Sequence, residues 1–188
     1  MAAGRFSRTE LLAFRGATVD DLLGHDIRLL FVGINPGLWT AAANAHFARP
    51  GNRFWPALHA AGITSAVVDA SAGMPPWALD ELDAAGIGIS NIVQVATARA
   101  DELTREELLA GGASLRAKVV ALEPAWLAIV GVTAYRTAFG QPRAAVGAQD
   151  LCIGSTRVWV LPNPSGLNAH YTPDALADEF ARLRAETI

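Results

Sequence analysis

The stretch "LLFVGINPGLW" (29–39) decides the fold of this chain, because it is a continuous apolar run that stops at an Asn-Pro pair (35–36). The same pattern returns in "VWVLPNPSGL" (158–167), where the run stops at a second Asn-Pro pair (163–164). Continuous runs of this kind are typical of strands that are buried on both faces of a parallel sheet. The two stretches therefore predict two buried strands, each followed at once by a polar residue and a rigid one.

Strand-like and helix-like segments alternate along the rest of the chain. Strands are predicted over 27–33, 86–93, 125–131 and, as a hairpin, over 150–162. Helices are predicted over 9–14, 19–24, 52–62, 75–86, 104–124, 133–140 and 172–186, with a loop over 35–51 and a weak point at Gly111-Gly112. This alternation predicts an α/β fold of three layers, α/β/α, around a central, mostly parallel twisted sheet.

Length and composition limit the classes of protein to consider. The 188 residues, 52% of them hydrophobic, predict a single domain (1–188) with a helical N-terminal extension (1–26) and a core (27–188). The one cysteine, Cys152, is predicted to be a small core residue, and it excludes a disulfide framework or a cluster of thiolate ligands. No apolar run is long enough for a membrane span and the first residues lack a signal-peptide core, so a cytoplasmic location is expected. A net charge of −3 disfavours partners held by charge alone.

Three polar elements are predicted to meet at one edge of the sheet. In open α/β sheets, ligands bind in the crevice beyond the carboxyl ends of the strands. Both Asn-Pro pairs lie at such ends, and so does Ser90-Asn91 in the second strand. Taken singly, Asn-Pro-Gly and Pro-Ser-Gly are ordinary turn sequences. Their repetition at two strand ends favours a shared binding crevice.

Four motifs in order carry a resemblance to a known family: "GINPGL" (33–38), "HFARPGNRFW" (46–55), "GISNIV" (88–93) and "LPNPSGL" (161–167). The chain resembles the mismatch-specific uracil/thymine DNA glycosylases of the uracil-DNA glycosylase superfamily from about residue 28 onwards. The resemblance implies a monofunctional, metal-independent and cofactor-free hydrolase. Such an enzyme flips uracil, chiefly from G·U mispairs, out of double-stranded DNA, hydrolyses its N-glycosidic bond and leaves an abasic site for base excision repair. A monomer that acts on the DNA of a bacterial nucleoid is expected.

The resemblance also assigns roles to individual residues. Asn35 would position the attacking water, and Phe47 would stack on the flipped base. The other base-binding residues would be Ile34, Thr40, Asn91 and Asn163. Gly166, Leu167 and Asn168 would form a wedge that enters the duplex and faces the partner base. Ser165 and Arg53 would meet phosphates.

Several of these residues also have purely structural interpretations. Asn35, Thr40 and Asn91 could cap their loops, Phe47 could anchor the core, and Arg53 could be a solvated side chain. The chain also departs from the family pattern: Gln94 and Val95 stand where an acidic residue and an arginine are usual, and Asn168 replaces a serine.

Two other functions remain open at this stage. A nucleotide-binding module would hold a free nucleotide at "GINPG" (33–37), but the sequence lacks a phosphate loop of the Lys-Ser/Thr or GxGxxG type. A hydrolase of free nucleosides would not need the wedge at 166–168. The wedge is therefore the feature that distinguishes a DNA glycosylase from both alternatives.

Overall fold

The computed structural model describes residues 6–187, which form a five-stranded sheet with helices on both faces. The strands are β1 (Leu29–Gly33), β2 (Ile87–Asn91), β3 (Trp126–Val130), β4 (Gly147–Ile153) and β5 (Thr156–Leu161). The helices are α1 (Arg8–Leu12), α2 (Leu38–Ala43), α3 (Phe54–Ala60), α4 (Pro76–Ala84), α5 (Arg105–Leu122), α6 (Val132–Ala138) and α7 (Pro173–Thr187). A short 3-10 turn spans Ala100–Glu102.

The sheet is mixed but mostly parallel, in the order β2-β1-β3-β5-β4. Only β4 runs antiparallel, because it is the first arm of the predicted hairpin with β5. Alternate residues of β1 point to opposite faces: Phe31 packs with α3, α4 and α7, whereas Val32 packs with α5 and α6. Full burial of one such side chain contributes about 1.5–3 kcal/mol. The predicted three-layer α/β/α fold is confirmed.

The strand register brings the predicted polar elements to one edge of the sheet. Gly33 at the end of β1 pairs with Asn91 at the end of β2, and Val130 at the end of β3 pairs with Leu161 at the end of β5. The segments that follow these strands therefore leave the sheet at the same level. Parallel pairing thus explains how distant motifs reach one crevice.

The N-terminal segment differs from the predicted pair of helices. Helix α1 forms, but 19–24 is not helical: Leu22 exchanges two backbone hydrogen bonds, of 2.9 and 2.8 Å, with Ile89 of β2. This pairing covers the free edge of β2, and it outweighs the weak helical preference of a short segment. Residues 1–5 of the predicted extension lie outside the described residues.

Three further details correct the sequence prediction. The loop over 35–51 contains helix α2. Helix α5 runs unbroken through Gly111-Gly112, where a weak point was predicted. A Cβ on Gly112 would lie 2.2 Å from the carbonyl oxygen of Ala138, so the absence of a side chain permits close packing of α5 against α6. Cys152 is exposed, since it lies on the edge strand β4, where alternate residues face solvent.

No helix among the described residues is long and apolar enough to cross a membrane.

Candidate active site

A pocket of about 350 Å³ opens at the carboxyl ends of β1, β2 and β5. Predicted site residues make up much of its lining: Ile34, Asn35, Thr40, Phe47, Asn91, Asn163, Ser165 and Leu167. The remaining three, Arg53, Gly166 and Asn168, lie in or against the loop over 163–171, beside the pocket. The structure thus brings the four motifs together around one cavity.

The amide of Asn35 is held in one orientation. Its Nδ2 donates to the carbonyls of Pro36 (3.2 Å) and Val95 (3.0 Å) and to the hydroxyl of Thr97 (2.8 Å). Carbonyl oxygens only accept hydrogen bonds, so the NH₂ end of the amide must face them. None of the described residues donates a hydrogen bond to Oδ1. Asn35 therefore presents a fixed, free acceptor at the pocket, which is suited to hold a water molecule.

Phe47 has one ring face packed and a strained backbone. Its ring stacks on Phe54 with centroids 3.8 Å apart and planes 15° from parallel, and Phe54 lies fully in the core. The φ angle of Phe47 is 54°, a left-handed conformation that costs a bulky residue free energy. Phe47 is half-buried and lines the pocket. A planar ligand can stack on a ring that is already supported from behind.

Asn91 lines the pocket, and its side-chain amide is buried. The residue is only 4% exposed, and its Nδ2 has no hydrogen-bond partner among the described residues. A Cβ on the neighbouring Gly33 would lie 2.8 Å from Asn91 Oδ1 and 3.2 Å from the Phe47 ring, so a larger residue there would displace these two pocket side chains. Leaving a buried donor unpaired costs about 1–3 kcal/mol. A ligand carbonyl would recover that free energy.

Asn163 also faces the pocket as a donor. Its Oδ1 accepts from the backbone N–H of Ser165 at 2.9 Å, which fixes the amide because a backbone N–H cannot accept. The Nδ2 group has no acceptor among the described residues. The Asn163 side chain thus stabilises the predicted turn through Oδ1, and its free N–H group can stabilise negative charge on a ligand oxygen.

Leu167 is the most exposed large apolar side chain of the described residues, at 82%. It lies at the tip of the loop over 163–171, beside the pocket mouth. The hydroxyl of Ser165 accepts from the backbone N–H of Leu167 at 3.3 Å, which leaves the hydroxyl proton free for another acceptor. An exposed leucine on a turn has the geometry of an apolar wedge.

The side chains of Arg53 and Asn168 form hydrogen bonds within the protein. The Arg53 guanidinium, expected at a phosphate, donates to the carbonyls of Ser165 (2.6 Å), Asn168 (3.0 Å) and Tyr171 (2.6 Å). The Asn168 amide, expected at the partner base, donates to the carbonyl of Asn163 at 2.8 Å and accepts from the backbone of His170 at 3.1 Å. Both side chains therefore hold the loop itself.

The sequence interpretation missed the second wall of the pocket. Thr97, Arg99 and Asp101 line it from the segment after β2, which runs alongside the first motif and pairs with it through a parallel bridge between Thr97 and Gly37. Arg99 forms a bidentate ion pair with Asp101 (2.9 and 2.5 Å), and these hydrogen bonds lower the pKa of the Asp101 carboxyl. No motif marks these residues, because their role follows from a pairing of loops.

A polar cluster supports the end of β2 from behind. Ser90 donates to Asp21 at 2.6 Å, and Lys118 binds both residues. Gln94 donates to the carbonyl of Asn91 at 3.1 Å. The glutamine that departs from the family pattern thus still holds the backbone of a pocket residue.

His46 ties the second motif to the N-terminal segment. The Nε2 atom of His46 lies 3.0 Å from the carbonyl of Asp20, so this nitrogen carries the proton. The backbone carbonyl of His46 accepts a hydrogen bond from Trp55 Nε1 at 3.0 Å. Burial lowers the pKa of His46, because the charged imidazole would lose its hydration. The residue is therefore a neutral structural donor close to the loop that presents Phe47.

Comparison with known proteins agrees with this architecture. A solution NMR structure described as a "putative Uracil DNA glycosylase from Methanosarcina acetivorans" superimposes with a TM-score of 0.60 at 17% identity, covering 92% of this chain and 97% of that chain. At this identity the similarity concerns the fold. The family model of the uracil DNA glycosylase superfamily matches residues 21–184, which include all four motifs and every residue of the pocket. The chain therefore belongs to the uracil DNA glycosylase superfamily.

Proposed function

We propose that this protein is a monofunctional DNA glycosylase of the mismatch-specific subfamily, which removes uracil from G·U mispairs in double-stranded DNA. One observation carries the proposal: the fixed acceptor of Asn35 shares a pocket with the supported ring of Phe47 and the free donors of Asn91 and Asn163. A cytoplasmic monomer that acts on cellular DNA is part of this proposal.

The pocket offers what hydrolysis of a flipped nucleotide requires. The base leaves the duplex stack and stacks on Phe47, which contributes roughly 1–3 kcal/mol. Uracil has two carbonyl oxygens, and the Nδ2 groups of Asn91 and Asn163 are donors of the kind that bind them. As the bond from C1′ to N1 breaks, negative charge spreads onto these oxygens. Donors that are already in place stabilise that charge.

Water completes the reaction at the sugar. Asn35 Oδ1 accepts a hydrogen bond from the water, which directs an oxygen lone pair toward C1′. The new bond joins the water oxygen to C1′, and the base departs with the electrons of the bond from C1′ to N1. The water then loses a proton to solvent. An amide is a weak base, so Asn35 orients the nucleophile more than it activates it. The reaction therefore depends on a sugar cation that forms readily and on a stabilised leaving base.

Leu167 favours duplex DNA over smaller substrates. A hydrolase of free nucleosides or a nucleotide-binding module has no use for a leucine that is 82% exposed on a turn beside the pocket. Inserted into a base stack, the same side chain fills the space that the flipped nucleotide leaves. This residue separates the proposed function from both alternatives.

The test measures uracil release from a G·U duplex under single-turnover conditions, with the undamaged G·C duplex as substrate control. The wild-type protein should leave an alkali-labile abasic site. Asn35→Ala should lower the rate roughly 10- to 1,000-fold, the range for loss of one positioning or electrostatic group. DNA affinity should change little, because phosphate contacts dominate it.

Gln141→Ala provides a matched control, since it removes an exposed amide that does not line the pocket. It should retain wild-type turnover. A wild-type protein that releases no uracil, or an Asn35→Ala variant with near-normal turnover, would contradict the proposal.

A further inference from the structure

We infer that Arg53 is a positioning residue for the wedge, and that excision from duplex DNA depends on its guanidinium. The inference rests on the proposed function, because it concerns how Leu167 is presented to the duplex. It assigns Arg53 a role that differs from contact with a phosphate.

The guanidinium connects three separate points of the loop over 163–171. Nη1 donates to the carbonyl of Tyr171 at 2.6 Å, and Nη2 donates to those of Ser165 at 2.6 Å and Asn168 at 3.0 Å. The backbone N–H of Arg53 adds a bond of 2.9 Å to the carbonyl of Pro164. One residue at the start of α3 thus binds both arms and the turn of the loop.

The geometry needs the planar fork of an arginine. A lysine has the same charge, but its single ammonium cannot donate in two diverging directions from the ends of a rigid plane. Arg53 is half-buried, and its Nε is buried without a partner among the described residues. Because both terminal nitrogens already bind carbonyls, the side chain is committed to the loop.

Leu167 depends on this support because it has little support of its own. Its side chain is 82% exposed, so its position is set by the backbone of the turn. That turn packs closely on the segment that precedes α3, because a Cβ on Gly166 would lie 2.6 Å from the carbonyl oxygen of Gly51. The bonds of Asn168 to Asn163 and His170 shape the loop locally, whereas Arg53 fixes the loop relative to α3. A wedge that is already ordered loses less entropy when it binds.

The experiment compares Arg53→Lys and Arg53→Met with Arg143→Met, which removes an exposed arginine that does not line the pocket. The first readout is the single-turnover rate of uracil release from a G·U duplex and from the same uracil strand alone. We expect both Arg53 variants to lose roughly 10- to 100-fold on the duplex, as for a group displaced by about 1 Å, and to stay near any rate that the wild type shows on the single strand. If the wild type releases no uracil from the single strand, the duplex rates and the double-mutant cycle below decide the inference. Arg143→Met should match the wild type on both.

A double-mutant cycle with Leu167→Ala tests whether Arg53 acts through the wedge. If it does, Arg53→Lys should add little to the loss that Leu167→Ala causes on the duplex. Losses that multiply independently, equal losses on both DNA forms, or an Arg53→Lys variant with the wild-type duplex rate would each overturn the inference. Equal losses on both DNA forms would indicate a general defect of the pocket. A wild-type duplex rate in Arg53→Lys would indicate a phosphate contact that needs only the positive charge.

Amide hydrogen exchange of residues 165–171 in the DNA-free protein separates this inference from the proposed function. Exchange should accelerate in both Arg53 variants and stay unchanged in Arg143→Met. Unchanged exchange in the Arg53 variants overturns the inference whatever the activity. Accelerated exchange in a protein that removes no uracil from either DNA form would support the loop contact and reject the proposed function.

Discussion

The side-chain amide of Asn35 donates a 2.8 Å hydrogen bond to the hydroxyl of Thr97, and this hydroxyl donates in turn to the carbonyl of Arg99 at 2.8 Å. A threonine hydroxyl has one proton. Since Arg99 receives it, only oxygen lone pairs face Asn35. The chain of bonds therefore holds the Asn35 amide with its NH₂ end away from the proposed water site.

Thr97→Val should hold the Asn35 amide less firmly in its orientation while preserving the shape of the side chain at position 97. The Asn35 amide would keep two carbonyl acceptors but lose its shortest bond, so we expect the rate on a G·U duplex to fall roughly tenfold, at the lower end of the effect of a positioning group. DNA affinity should stay unchanged. Thr97→Ser retains the hydroxyl and should be close to wild type in single-turnover assays. Equal rates for the valine and serine variants would remove Thr97 from the mechanism.

The only lysine of the chain, Lys118, makes an ion pair with Asp21 and a 3.0 Å bond to Ser90, and it does not line the pocket. No lysine amine is thus placed to form a Schiff base with the sugar. We also find no group of three or more His, Cys, Asp or Glu suited to a metal ion among residues 6–187. Uracil release should therefore persist in EDTA, and borohydride should trap no covalent complex with DNA. A trapped adduct would contradict the hydrolytic mechanism.

The neutral His46 makes stability depend on pH. Burial places its pKa below 6.5 in the folded protein, so the unfolded chain binds the proton more readily. Its contribution to stability is fully present above about pH 6.5 and decreases as the pH falls from that value through the lowered pKa. The urea midpoint should therefore drop between about pH 7.5 and about pH 5.5, and His46→Gln should reduce that drop. His170→Gln, at an exposed site, is the matched control; the same drop in wild type and His46→Gln would exclude this role.

The sequence predicted the sheet and the place of the pocket because both depend on local patterns. Apolar runs that end at 35–36 and 163–164 define two strand ends, and parallel pairing must bring such ends to one edge. Helix α2 was missed because six residues rich in alanine, within a stretch of Gly, Asn and Pro, give too short a periodic pattern. The segment 19–24 pairs with β2 through tertiary contacts that no local preference encodes.

The hydrogen-bond partners of a site residue could not be predicted from the sequence. An arginine beside a motif is equally suited to a phosphate, to solvent or to backbone carbonyls, and only the folded loop shows that Arg53 binds the carbonyls of Ser165, Asn168 and Tyr171. Thr97 has no neighbouring motif, because its importance depends on the distant Asn35. Residue type limits the chemistry of a side chain, whereas its partners depend on the tertiary structure.

Selectivity against thymine is predicted to rest on Thr40. This residue lies in the first turns of α2, is only 6% exposed and lines the pocket. Thymine differs from uracil by the methyl group at C5, so a pocket rejects it sterically, and a group of that size is worth roughly 1–3 kcal/mol in discrimination. The branched side chain of threonine fills more space than alanine and is stiff at χ1. We therefore expect G·U to be a good substrate and G·T a poor one.

Thr40→Ala should narrow the ratio of the single-turnover rates on G·U and G·T, mainly by raising the rate on G·T. Thr40→Val separates volume from hydrogen bonding, because valine keeps the branched shape without the hydroxyl. If volume rejects the methyl group, the valine variant retains the wild-type ratio while the alanine variant loses it. Loss of selectivity in both variants would assign the effect to the hydroxyl. A wild-type ratio in Thr40→Ala would show that this side chain does not contact the C5 methyl, and the preference for uracil would then have to come from another residue of the pocket.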